Sequence, residues 1–117
     1  MYRNLEAWKK AYALGLKIYK LTSNFPREEM FGLISQMRRS ATSIAANIAE
    51  GNARKSPKEF SRFISIARGS AAELETWIMF SKDLDYIPND DYENLSTDLD
   101  RLKGLLYGLQ KSIEKHN

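Results

Sequence analysis

The chain has 117 residues, with 18 Lys+Arg against 15 Asp+Glu, one histidine and no cysteine. That length suits a single domain, residues 1–117, whose core needs no disulfide or metal staple. The missing cysteines exclude disulfide scaffolds, zinc–thiolate and iron–sulfur sites and cysteine nucleophiles, and the lone His116 leaves a Ser-His-Asp triad or a multi-histidine metal site almost nothing to work with.

No cofactor is therefore expected. With 43% hydrophobic and 28% charged residues the composition is neither that of a disordered chain nor that of a membrane protein. Glu6, Lys9 and Lys10 interrupt any apolar run near the start, so no signal peptide is expected. The stretch 40–49 is uncharged, but it is rich in Ser, Thr and Asn and far short of the ~20 apolar residues of a membrane helix. These features predict a soluble, cytoplasmic protein.

The first predicted element covers residues 4–23. Leu5, Trp8, Tyr12, Leu16 and Tyr19 recur every three or four residues and predict its buried face. The second covers residues 27–50, after Pro26, with Phe31, Ile34, Met37, Ala41, Ile44 and Ile48 inward and Gly51 as the C-cap. The third opens on Ser56-Pro57-Lys58-Glu59, a capping box in which Ser56 accepts from the Glu59 amide and Glu59 reaches back. Its stripe is Phe60, Phe63, Ile64, Ala67, Ala71, Leu74 and Ile78. The fourth starts at Pro88-Asn89-Asp90-Asp91, where acids face the positive end of the helix dipole. Leu95, Leu99, Leu102, Leu106, Leu109 and Ile113 continue it. No segment alternates with the period of two that strands require. The prediction is an all-α, antiparallel, up-down-up-down four-helix bundle.

The net charge of +3 hides an asymmetry. Arg3, Lys9, Lys10, Lys17 and Lys20 against Glu6 give residues 1–25 a charge of +4. Arg54, Lys55, Lys58, Arg62 and Arg68 against Glu59 give residues 52–68 another +4, and the C-terminal part is acidic. Clustered Lys and Arg bind phosphates by releasing counterions, without reading sequence. The competing reading is an ordinary solvated surface whose acids sit on a neighbouring helix.

Gln36, Ser40, Ser43, Asn47 and Glu50 are spaced by 4, 3, 4 and 3 residues and share one face of the second helix. Arg62, Ser65, Gly69, Ser70 and Glu73 form a companion set on the third. Three readings stay open. One is a hydrogen-bonded seam that fixes register. Another is a binding surface for a partner or nucleic acid. The third is catalysis by Glu50 and Glu73, the one acid/base pair on offer, with no nucleophile, metal-ligand set or phosphate loop beside it.

Phe25-Pro26-Arg27-Glu28-Glu29, then Asn47-Ile48-Ala49-Glu50-Gly51, then Gly69-Ser70 and Glu73 form an ordered pattern across almost the whole chain. It resembles the bacterial four-helix-bundle proteins of the 23S rRNA intervening sequence family, related to the accessory variability determinant of diversity-generating retroelements. The resemblance implies a non-enzymatic, homopentameric protein, and for the retroelement relative a basic pentamer that binds nucleic acid and a reverse transcriptase. In a ring of five, +3 per chain becomes +15, and symmetry repeats each basic patch. The predicted phosphate contacts are Arg38, Arg39, Arg54, Lys55, Lys58 and Arg62, with Lys9, Lys10 and Lys17 secondary. The predicted seam or partner face is Gln36, Ser43, Asn47, Glu50, Ser70 and Glu73. The expectation is an oligomeric RNA- or DNA-binding accessory protein; the alternative is a protein-interaction scaffold with no nucleic-acid role.

Overall fold

The computed structural model describes residues 1–115, and His116 lies outside them. Four helices, α1 (Glu6–Thr22), α2 (Leu33–Ala53), α3 (Pro57–Asp83) and α4 (Asn89–Lys115), pack in cyclic order into a body of 45 × 24 × 20 Å. A 27-residue helix is about 40 Å long, so α3 and α4 set the long axis. Cross-links between early and late residues make every neighbouring pair antiparallel: Arg38 to Thr22, Ser43 to Ser70, and both Lys103 to Glu75 and Gln110 to Ser61. No described helix is long and apolar enough to cross a membrane.

The predicted stripes of α3 and α4 are the buried ones. Ile64, Ala67, Ala71, Leu74 and Ile78 face Leu95, Leu99, Leu102 and Leu106, all within the core. On α2 the inward residues are Ile34, Met37, Ala41, Ile44 and Ile48, but Phe31 is 94% exposed on the turn before the helix. Pro26 starts only a single 3-10 turn, Arg27–Glu29, and α2 begins six residues later than the sequence pattern suggests. The reason is a local clamp. Glu29 Oε1 accepts from the Leu33 amide at 3.3 Å, while Glu29 Oε2 accepts from the Tyr86 hydroxyl at 3.0 Å. Phe25 packs on the Tyr86 ring at 5.4 Å, so the α1–α2 and α3–α4 loops lock together at one end of the bundle. The bond to Glu29 pushes the Tyr86 hydroxyl above the ordinary tyrosine range.

Helix α1 departs from its predicted face. Its inward residues are Ala7, Ala11, Leu14 and Ile18. Small side chains let α1 lie close to its neighbours, and the larger Trp8, Tyr12, Leu16 and Tyr19 turn onto a flank; Tyr12 and Leu16 are each 53% exposed. Size led the sequence reading to the wrong one of two competing periodic stripes.

Gly51 also differs from expectation. It is an interior residue of α2, not its cap, and the left-handed residue that ends the helix is Lys55 at φ 58°. Gly51 is required by proximity instead. A Cβ there would sit 2.7 Å from Phe63 Cβ and 3.0 Å from Phe60 Cδ1, whereas Gly104 of α4 faces open space. The pair makes a test. Gly104→Ala should stabilise by up to ~1 kcal/mol through helix propensity. Gly51→Ala should lose about 1–3 kcal/mol to overpacking despite the same gain. Urea midpoints measure both, and equal shifts would remove the proximity argument.

Candidate nucleic-acid interface

The α2–α3 turn is three residues, Arg54 to Ser56. Its sharpness comes from Lys55 in the left-handed region and from Ser56, whose Oγ accepts from the Glu59 amide at 3.3 Å. Pro57 holds the first helical position, where a missing N–H costs nothing. Half of the predicted capping box forms. The Glu59 carboxylate goes to Arg62 instead of reaching back, accepting from its Nη2 at 3.1 Å and its Nε at 3.3 Å. A planar guanidinium offers two parallel donors, and a fork-to-fork pair outcompetes one backbone amide. Arg62 consequently holds the Glu59 carboxyl below its ordinary range, and Glu59 raises Arg62.

Arg54 lies 3.7 Å from Glu50, one turn back on α2. Both Arg54 and Arg62 also rest on the Phe63 ring, at 5.1 and 4.6 Å from its centroid. Lys55 and Lys58 are exposed and form no ion pair among the described residues. A groove of about 350 Å³ opens beneath the turn, lined by Gly51, Lys55, Phe60 and Ile113 among others. Four predicted cations thus come together here, with two carboxylates among them.

Arg38 and Arg39 do not join them. They stand roughly 24 Å along α2, at ~1.5 Å per residue over the 16 residues from Arg38 to Arg54. Arg38 donates to Thr22 Oγ1 at 2.9 Å and to the Tyr19 carbonyl at 3.4 Å, and lies over the Tyr19 ring at 4.6 Å. It closes the C-terminal end of α1, where free carbonyls favour a cation. Arg39, Lys9 and Lys10 are exposed, and Lys17 bridges to Asp98 of α4.

The polar line separates in the same way. Ser43 and Ser70 share a hydrogen bond of 2.9 Å across α2 and α3, and Asn47 Nδ2 donates to Ser43 Oγ at 2.9 Å and to its carbonyl at 2.8 Å. Gln36 supplies only its carbonyl, to Ser40 Oγ at 2.9 Å. Glu50 leaves the line for Arg54, and Glu73 is exposed. From the Ser43–Ser70 contact the two acids lie in opposite directions, roughly 15 Å apart along the axis at ~1.5 Å per residue. They do not share a site, and no group of three metal-ligating side chains forms among the described residues.

On the aromatic flank of α1, Trp8 stacks on Tyr12 at 5.1 Å and takes Tyr2 edge-on at 5.3 Å. One feature escaped the sequence pattern: Gln110, buried between α3 and α4. Its position, four residues after Leu106 on an otherwise leucine-rich stripe, was the available signal.

A family model described as 23S rRNA-intervening sequence protein matches residues 3–108. No curated protein matches the chain significantly. A crystal structure of a protein with unknown function from the S23 ribosomal protein family of Bacteroides thetaiotaomicron superposes with a TM-score of 0.84 at 29% identity. The match covers 95% of this chain and 99% of that one.

The seam generates a stability prediction. Ser70→Ala should cost about 0.5–1.5 kcal/mol, the net value of one part-buried hydrogen bond. Glu50→Gln, at an exposed pair, should stay within about 0.5 kcal/mol of the parent. Chemical denaturation of the two variants checks the contrast.

Proposed function

We propose, for a chain that belongs to the 23S rRNA-intervening sequence protein family, a non-enzymatic role as a cytoplasmic, oligomeric accessory protein. It binds RNA or DNA electrostatically through the α2–α3 turn. The observation that carries this reading is that Lys55 and Lys58, exposed and without an ion pair among the described residues, stand beside the Arg54 and Arg62 clamps over an open groove. Two carboxylates reduce the charge of a single turn, so one copy is a weak phosphate contact. Repetition around a ring adds contacts without new chemistry, because the second engagement is intramolecular.

The aromatic flank of α1 supports assembly. Trp8, Tyr12, Leu16 and Tyr19 make a continuous apolar strip beside α2, the kind of surface that self-association covers. A homopentamer accommodates it through a repeated heterologous contact. The family and the solved relative carry no indication of an enzyme. The separation of Glu50 from Glu73 supports the non-enzymatic reading, since general acid–base catalysis requires both groups within reach of one substrate. A scaffold role finds its support in the exposed Met79, Phe80 and Leu84 at the far end of α3.

Binding of a labelled structured RNA, titrated with salt, tests the interface. Affinity should fall steeply with salt, and Lys55→Gln/Lys58→Gln should flatten the log–log slope by about 0.9 per lost phosphate contact in a duplex region. Glu59→Gln, which frees Arg62, should tighten binding. No binding at low salt, or binding indifferent to salt, would overturn the reading. Light scattering tests assembly separately: the parent should show several times the chain mass, and Tyr12→Glu should return it to one chain.

A further inference from the structure

On α3, roughly 17 Å along the helix from the turn, at ~1.5 Å per residue from Pro57, stands an arginine of a different kind. Arg68 Nη1 donates to Gln110 Oε1 at 2.8 Å. Gln110 is only 7% exposed, and its amide nitrogen donates back to the Ser61 carbonyl at 2.9 Å and to Ser65 Oγ at 2.7 Å. With its N–H groups spent on α3, the Gln110 amide can present only its oxygen to Arg68.

Arg68 forms no ion pair among the described residues. Glu114, which lines the same groove, accepts instead from Ser61 Oγ at 3.2 Å. This contrasts with Arg54 and Arg62, each of which has a carboxylate partner. A neutral amide fixes the guanidinium in place without cancelling its charge. Its remaining donors stay available, and little side-chain freedom is left to lose on binding.

Around this cation the surface is open and partly aromatic. Arg68 borders two shallow grooves between α3 and α4. One, of about 390 Å³, runs past Gly69, Ala72 and Lys103; the other, of about 230 Å³, runs past Tyr107 and Lys111. Gly69 leaves the first groove clear, with no atom within 4 Å of where a Cβ would stand. Lys103 is engaged by Glu75 at 3.0 Å. Tyr107 is 51% exposed, with Arg68 at 5.4 Å and Lys111 at 5.5 Å from its ring centroid.

We propose that this α3–α4 groove binds single-stranded nucleic acid, Arg68 and Lys111 holding backbone phosphates while Tyr107 stacks on a base. The combination selects the ligand. Cations alone take any polyanion, whereas an exposed ring flanked by cations also takes a base face, which only an unstacked strand can present. Lys111, on its flexible exposed stem, moves from the ring to a phosphate as the base arrives. The proposal rests on the nucleic-acid reading above for its ligand class and adds a contact region that the turn does not include.

Fluorescence anisotropy with a labelled oligouridylate, alongside inorganic polyphosphate and polyglutamate as competitors, tests it on the full chain. Arg68→Gln should weaken oligouridylate binding about tenfold, the scale of one charge-assisted hydrogen-bond set, and flatten the salt slope by about 0.7. Tyr107→Leu should weaken it about five- to twentyfold with the salt slope unchanged, and should leave polyphosphate binding as it is. Lys111→Gln, which removes no packing, serves as the second charge variant. Circular dichroism and urea midpoints establish that each variant is folded. If the parent binds oligouridylate and none of the three variants weakens it, the groove assignment is overturned while the nucleic-acid reading stands. Loss on Arg68→Gln without loss on Tyr107→Leu would make this a phosphate site alone and overturn the strand assignment. Polyglutamate that competes as well as the oligonucleotide, and depends on Arg68, would assign the groove to an acidic protein. A parent that binds no nucleic acid at low salt overturns both proposals together.

Discussion

The contact on which the rest depends is the approach of α2 to α3. At Gly51 the helices are so close that one methyl group has no room against Phe63. The three-residue turn follows from that closeness, because a chain reversing between touching helices has few residues with which to do it. Lys55 accepts a left-handed backbone so that the reversal can be made. The register follows too. With Gly51 under Phe63, Ser43 meets Ser70 and their hydroxyls satisfy each other in a half-buried layer. Unpaired, each would carry a desolvation cost of about 1–3 kcal/mol, so the seam opposes a slip of the two helices. A hydroxyl pair in a bundle core is thus more a register device than a source of net stability.

The same closeness sorts the charges. Side chains at the turn leave α2 and α3 nearly side by side, so Arg54 and Arg62 converge on Phe63 and each finds an acid on its own helix. Local pairing of this kind is weak in energy but effective in muting charge. The lysines that flank it have no such partner among the described residues. Between α3 and α4 the buried residue is a glutamine instead of a glycine. Gln110 fills that space with a polar group that must be satisfied, and the satisfying cation, Arg68, keeps its charge. A count of Lys and Arg along the chain cannot separate these cases. The electrostatic surface depends on which partner each cation meets.

How much of this the sequence discloses varies by helix for a physical reason. On α3 and α4 one apolar stripe runs the length of the helix, so Leu74, Leu99 and Leu106 turn inward while Ile66, Met79 and Phe80 fall off it, and the Ser56-Pro57 start is local chemistry that needs no tertiary partner. On α1 two stripes compete. The aromatic one is larger, but close helix packing prefers Ala7 and Ala11, and no property of α1 alone decides between them. Gly51 is visibly unusual in the sequence, yet its cause is Phe63, twelve residues on and across a turn. The late start of α2 is hidden for the same reason: Glu29 is committed to Leu33 and to Tyr86, which lies 57 residues away in sequence. The six predicted phosphate contacts divide similarly. The four near the turn are brought together by chain proximity, while Arg38 is taken by Thr22 and Tyr19 of a neighbouring helix.

The arrangement of the four helices separates two surfaces of the chain. Each helix touches only its two cyclic neighbours, so the α1–α2 side and the α3–α4 side are opposite faces of the bundle. The aromatic flank of α1 lies on the first, as the contact of Tyr19 with Arg38 of α2 shows. Arg68, Tyr107 and Lys111 lie on the second. A contact that covers Trp8 and Tyr12 therefore does not by itself cover Arg68 of the same chain. The aromatic strip of α1 and the Arg68 groove lie on opposite sides of the bundle axis. In that geometry the two surfaces do not compete for the same side chains: Trp8 and Tyr12 belong to α1, and Arg68, Tyr107 and Lys111 to α3 and α4.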